Sequence, residues 1–233
     1  MKVAFLFRSL LMGFALLSSS ACKKTAPEIE GLSYVNGLPY YHFTKSDRQW
    51  FQAKTGDVWT FENGQGAQRR YRVYFRQYLQ VENKIRVSGF ISDTYKLVGY
   101  LDEAEISLAN VDTASSDSGG RFQFYTDPAV ATNDQPVSGL SWLRASATWV
   151  TFGGTNRAII DYYHPVGNQL KGPYYPITTP GSAYAEVVLF STYPRGQYAP
   201  PASPTSLDAL YYDHQAGLVR MVSLAGEVWD RVL

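Results

Sequence analysis

Residues 70–76 read Arg-Tyr-Arg-Val-Tyr-Phe-Arg, an order that suits no face of a helix. Along an extended chain, Tyr71, Val73 and Phe75 fall on one side, and Arg70, Arg72, Tyr74 and Arg76 on the other, so a half-buried β-strand is predicted. The run Val58-Trp59-Thr60-Phe61 comes just before it, separated by Glu-Asn-Gly-Gln-Gly-Ala-Gln. Two such runs joined by a glycine-containing loop predict a hairpin, with the aromatic and valine side chains inward and the arginines outward.

The same punctuation continues. Short runs rich in Val, Ile, Tyr, Phe and Trp alternate with Gly, Asn, Asp, Ser and Pro clusters, which predicts strands at 84–91, 95–100, 105–111, 121–126, 142–152, 157–163, 184–191, 207–213, 217–224 and 227–232. The longest loops are expected at 112–120, 128–139 and 194–206. This pattern predicts a mainly β fold: one large antiparallel curled sheet forming a barrel or half-open barrel, with a sandwich as the other arrangement. Ser46 followed by Gln49 has capping-box spacing, so one short N-terminal helix is expected over 47–54. Gly56-Asp57-Val58-Trp59 is echoed by Gly226-Glu227-Val228-Trp229, which we read as two turns each followed by an inward Trp.

The N-terminus carries a different signal. Lys2 and Arg8 precede an apolar stretch over 10–17, and small residues follow up to Ala21. This is the layout of a secretory signal peptide over 1–21, too short in its apolar part for a spanning helix. Cys22 is the only cysteine, so it has no intramolecular disulfide partner. Ser-Ser-Ala ahead of Cys22 resembles the lipobox of bacterial lipoproteins, although Ser19 stands where Leu is commonest. The resemblance implies lipid on Cys22. Each buried acyl methylene contributes about 0.8 kcal/mol, so several chains would hold the protein on a membrane. Residues 22–37 are expected to form a flexible tether, and 38–233 a single β-rich domain. Without residues 1–21 the chain keeps 212 residues, with 19 basic against 20 acidic, a balance that gives no reason to expect nucleic acid as a partner.

The stretch Trp50-Phe51, Gly56 to Asn63 and Arg70 to Val73, together with the ending Tyr211-Tyr212-Asp213, Gly217 to Arg220 and Gly226 to Trp229, is similar to segments of uncharacterised lipoproteins of the Bacteroidota type. That resemblance covers both ends of the domain and brings no known activity. It implies a cell-envelope address, most naturally the outer membrane, with the membrane face left open.

Chemistry-bearing motifs are weak. Asp117-Ser118-Gly119-Gly120 resembles the nucleophile segment of trypsin-like proteases, but Ser116 stands where those have Gly, and the composition of 113–120 reads as a flexible loop. His42, His164 and His214 have no metal-ligand spacing. Asp102, Glu103 and Glu105 read as a solvated turn before a strand rather than a catalytic carboxylate pair. Gly153-Gly154 lacks the Lys of a phosphate-binding loop. No catalytic residue, metal or cofactor is therefore assigned. Tyrosine stands above background, with doublets at 40–41, 162–163, 174–175 and 211–212. Adjacent strand residues point to opposite faces, so one ring of each pair would pack inward while the other meets solvent or a ligand. Tyr174 and Tyr175, stiffened by Pro173 and Pro176, with Tyr163 and Tyr212, are the candidate ligand-binding residues. The expected function is non-enzymatic binding of an apolar or glycan ligand on the concave face of the sheet. The second reading is an envelope assembly component that binds another protein.

Overall fold

The computed structural model describes residues 29–89, 92–112, 117–130, 136–152, 158–165, 170, 173–192 and 207–232. Residues 1–21, where the signal peptide is expected, and Cys22 lie outside them. The described residues form thirteen strands of one sheet: β1 Leu32–Val35, β2 Leu38–Tyr41, β3 Val58–Asn63, β4 Gln68–Val87, β5 Thr94–Asn110, β6 Asp117–Val130, β7 Pro136–Phe152, β8 Ala158–Pro165, β9 Tyr175–Thr179, β10 Ser182–Thr192, β11 Leu207–Asp213, β12 Gly217–Ser223 and β13 Val228–Val232. No helix among them is long and apolar enough to cross a membrane.

Pairing runs β1-β2-β5-β4-β3-β13-β12-β11-β10-β8-β7-β6, and β9 pairs with β10. A further ladder joins β6 to β5, so from β5 the pairings pass through β4, β3 and β13 round to β6 and return to β5. β2 runs parallel to β5 at Tyr40 and Tyr41, which makes the sheet mixed rather than antiparallel throughout.

Alternation decides what lies inside. Along β4, Tyr71 and Val73 are buried while Arg70, Arg72, Tyr74 and Arg76 are exposed, as the sequence predicts. The hairpin into β4 is tied by Asn63, whose Oδ1 accepts from the N–H groups of Gln65 and Ala67 at 3.1 and 2.9 Å. Side chains from one face of β3–β7 and β10–β13 form a single apolar cluster that includes Phe61, Ile106, Phe122, Phe124, Trp149 and Phe190. The rings meet edge-on or tilted, as at Tyr71–Trp149 (5.5 Å, 74°) and Phe122–Phe190 (5.6 Å, 89°), the geometry favoured by aromatic quadrupoles. A smaller cluster of Ile177, Val187 and Val219 lies beside β9.

The two Gly-acid-Val-Trp segments behave alike. Gly56 and Gly226 both take positive φ, 101° and 80°, and the strands that follow pair with each other, Trp229 opposite Asn63 and Val232 opposite Thr60. Trp59 and Trp229 are buried. Each lies under a guanidinium, Arg231 at 4.5 Å from Trp59 and Arg69 at 4.0 Å from Trp229, so apolar burial and cation–π attraction act on the same rings.

Several expectations need correction. β1 falls within 22–37, so Leu32–Val35 of the expected tether are sheet, and Asn36 and Gly37 form the turn into β2. Residues 47–54 do not form an α-helix. A 3₁₀ turn spans Asp47–Phe51, and Ser46 makes no capping bond. The reciprocal pair is Thr44 with Asp47 instead: Thr44 N–H donates to Asp47 Oδ2 at 2.8 Å, and Asp47 N–H donates to Thr44 Oγ1 at 3.1 Å. Asp102 to Glu105 are mid-strand in β5, not a turn, and the strands expected at 95–100 and 105–111 are one. Asp117 to Gly120 belong to β6 rather than a loop, with Gly120 paired to Trp149. A Cβ on Gly120 would lie 2.1 Å from the Trp149 ring, so glycine here makes room for an indole.

Candidate functional site

β4 and β5 are long enough to continue past the core as a two-stranded arm. The ladder between them slips twice, between Tyr78 and Val81 and between Asn83 and Lys84, and each bulge bends and twists the arm. At the first bulge Gln80 takes φ 56°, an unusual conformation for a non-glycine residue. Asp102 holds it there. Its buried carboxylate accepts from Gln80 N–H at 3.3 Å, from the Tyr40 hydroxyl at 2.6 Å and from Phe43 N–H at 3.2 Å. Its own N–H donates to Thr126 Oγ1 at 3.1 Å, and that hydroxyl donates to Tyr41 O at 2.8 Å. The buried charge is thus satisfied, and β2, the bulge, β5 and β6 are tied together at one point.

Beside this point lies a groove of about 650 Å³, lined in part by Tyr78, Lys84, Tyr95, Glu103, Glu105 and Tyr125. On β5, Ala104, Ile106 and Leu108 are buried in the core, so Glu103 and Glu105 face the other way, outward. The register sets two rungs across three strands: Tyr78, Glu103 and Tyr125, then Arg76, Glu105 and Gln123. Directly opposed side chains in an antiparallel pair have Cβ atoms roughly 5 Å apart, so Glu103 stands between two tyrosines.

The two carboxylates differ. Glu105 accepts from Ser107 Oγ at 2.8 Å and lies 3.5 Å from Arg121 Nη1. Glu103 has no ion pair among the described residues. Burial, then the charge of Glu105, pushes its pKa above the ordinary carboxylate value. Lys84 is engaged by Glu82 at 2.5 Å. Polar tyrosine rims, one unpaired carboxylate and an open mouth suit reversible binding of a small amphipathic or sugar-like molecule.

The sequence-derived candidates do not gather at this groove. Tyr212 is buried in the core, and its hydroxyl donates to Trp50 O at 2.7 Å; burial drives its pKa far upward. Its neighbour Tyr211 packs against the smaller cluster, so this doublet does split between two faces. Tyr174 is exposed and donates to Leu170 O at 3.2 Å, while Tyr175 opens β9 opposite Val187. Tyr163 pairs through its backbone with Ala147 and Thr192; its side chain lies outside the described residues. Of the histidines, His42 lies 5.5 Å from the Tyr40 ring, and His214 Nδ1 lies 3.6 Å from Glu186 and 4.0 Å from Asp213; the side chain of His164 lies outside the described residues. Asp213 is committed to its own turn, accepting from Gln215 and Ala216 N–H. No group of three metal-ligating side chains occurs among the described residues.

The groove tyrosines stand singly rather than as doublets, which is why sequence inspection missed them. The usable signal was period two: with Phe122 and Phe124 inward, Tyr125 must face out. Comparison with protein-family models, curated proteins and solved structures found no match for the chain.

Proposed function

We propose that this chain is a lipid-anchored lipoprotein of the cell envelope, held on the outer membrane through Cys22, which binds an amphipathic or glycan ligand without chemically altering it. The single observation that carries the binding reading is the Tyr78–Glu103–Tyr125 rung inside a groove of about 650 Å³. Rings with an apolar face and a polar hydroxyl suit stacking on a sugar or an amphiphile. The circuit of pairings through β5 and β6 supports a rolled sheet. Large aromatic side chains occupy its inner face, so we place the ligand on the outer face of β4–β6 instead of the concavity. The anchoring part rests on the signal-peptide layout and the position of Cys22.

The two parts are tested separately. Intact mass and membrane fractionation of wild type and Cys22→Ala test the anchor: acyl mass and pelleting only in the wild type support it, and two soluble, unmodified proteins overturn it. For the groove, a panel of glycans and mild amphiphiles is titrated against wild type and a Tyr78→Ala/Tyr125→Ala double variant. Binding that the double variant loses supports the site; binding that survives it, or no binding at all, rejects it.

A second reading has its own observation. Leu79, Ile85, Val87 and Tyr95 are exposed on the β4–β5 arm, as they would be in a surface that meets another envelope protein.

A further inference from the structure

The groove lining carries Glu82, Glu103 and Glu105 against one basic side chain, Lys84. Lys84 is neutralised by Glu82 at 2.5 Å, and Glu105 faces Arg121 at 3.5 Å and Arg76 across the strand pair. Arg144 stands opposite Tyr125 on β7; like Arg76 and Arg121, it does not line the groove. The charge left uncompensated is that of Glu103, and it sits between the two tyrosines of its rung.

We propose that the groove selects a ligand with an organic cation, a protonated amine or a quaternary ammonium, seated at Glu103 between Tyr78 and Tyr125. This rests on the binding reading above and narrows it. A carboxylate supplies direct charge pairing, and tyrosine faces attract a cation through their quadrupole while tolerating its methyl or methylene groups. A neutral ligand would use the rings alone and leave Glu103 desolvated with no partner, whereas an anion would meet that carboxylate directly. Glu105 has the weaker claim on a ligand cation, because Arg121 and Ser107 already occupy its two oxygens.

The test uses the mature chain and two probes of nearly equal shape: choline, and its neutral isostere with a tert-butyl group in place of the trimethylammonium. Binding is followed by tyrosine fluorescence and by chemical-shift changes. The expected result is that choline binds at least about tenfold tighter than the isostere and that Glu103→Gln brings the two close to parity. Circular dichroism checks that the variant is folded. Tyr78→Ala is expected to weaken choline binding with Glu103 intact. If choline and the isostere bind equally to the wild type, the cation preference is overturned and the groove still stands as a site. If neither probe binds, nor any member of the glycan and amphiphile panel, the groove itself is rejected and the preference falls with it.

Discussion

The Tyr40 hydroxyl donates to Asp102 Oδ1 at 2.6 Å, joining two residues 62 positions apart. Asp102 is 1% exposed, so its carboxylate depends on donors the protein supplies. Asp102→Ala leaves the Tyr40 hydroxyl and the N–H groups of Phe43 and Gln80 without their acceptor. The expected loss is roughly 3 kcal/mol, because buried donors stripped of a charged partner keep their desolvation cost. Asp102→Asn keeps one acceptor oxygen and should lose less. Thermal and urea unfolding of the two variants check the order; an Asp102→Ala protein as stable as wild type would contradict the clamp.

The same bond has an alkaline signature. Burial, then Asp102, pushes the Tyr40 pKa from 10.0 up to about 12. A raised folded-state pKa means that the neutral hydroxyl is favoured in the fold. Its contribution to stability is complete below the unfolded value near 10 and is lost as pH climbs through about 12. Absorbance titration should show a late-ionising tyrosine that Tyr40→Phe removes and that Asp102→Asn shifts downward.

Glu103 gives the opposite experiment, at the acid end. Its pKa is raised by burial and by Glu105, so its protonated form is favoured in the fold. Its stabilising contribution is present below the ordinary carboxylate value and lost as pH rises through the raised one. At neutral pH the ionised side chain opposes folding, so Glu103→Gln should melt higher than wild type. At a pH below 4.5 the two should converge. A melting-temperature difference that does not change with pH would remove the electrostatic account.

How far the sequence reveals this arrangement depends on the kind of signal. Period-two alternation made Tyr71, Val73 and Phe75 legible as core, and the bounds of β11 follow directly from Pro204 and Ser206 before it and the Asp213 turn after it. The long hairpin was not legible in one piece, because charged residues at 102, 103 and 105 look like a turn until Tyr40 and Phe43 arrive from elsewhere to satisfy Asp102. The groove fails for the same reason. Tyr78, Glu103 and Tyr125 become neighbours only through the register of two ladders, and one sequence does not state a register. Thr44 and Asp47, by contrast, had capping-box spacing in plain view; Ser46 and Gln49 offered a competing pair.

Tyrosines of the core and of the groove should separate in mutagenesis. Tyr212→Phe removes the hydroxyl that donates to Trp50 O at 2.7 Å while its ring stays among Phe122, Phe124 and Phe190. The expected cost is about 1 kcal/mol, the net worth of one hydrogen bond, with ligand affinity unchanged. Tyr125→Ala removes a ring on the outward side of β6, and is expected to weaken ligand binding severalfold with less effect on folding than Tyr212→Ala, where roughly 3–5 kcal/mol is at stake. Unfolding curves and titrations on the same four proteins decide it. A Tyr212→Phe variant that stays stable but loses ligand would move the site into the core.

Gly217 tests the tightness of the packing around Trp59. It takes φ +81°, and a Cβ there would lie 2.5 Å from the Trp59 ring, whereas Gly181, at φ +97°, has nothing within 4 Å. Both alanine substitutions carry the backbone penalty of a positive φ, of the order of 1 kcal/mol. Only Gly217→Ala adds a collision with a buried indole that is already covered by Arg231, and overpacking of that kind costs roughly 1–3 kcal/mol more. Gly217→Ala should therefore unfold at distinctly lower denaturant than Gly181→Ala, with a changed tryptophan emission as Trp59 is pushed aside. Equal losses in the two variants would mean that the backbone, and not the ring, sets the requirement for glycine at this turn.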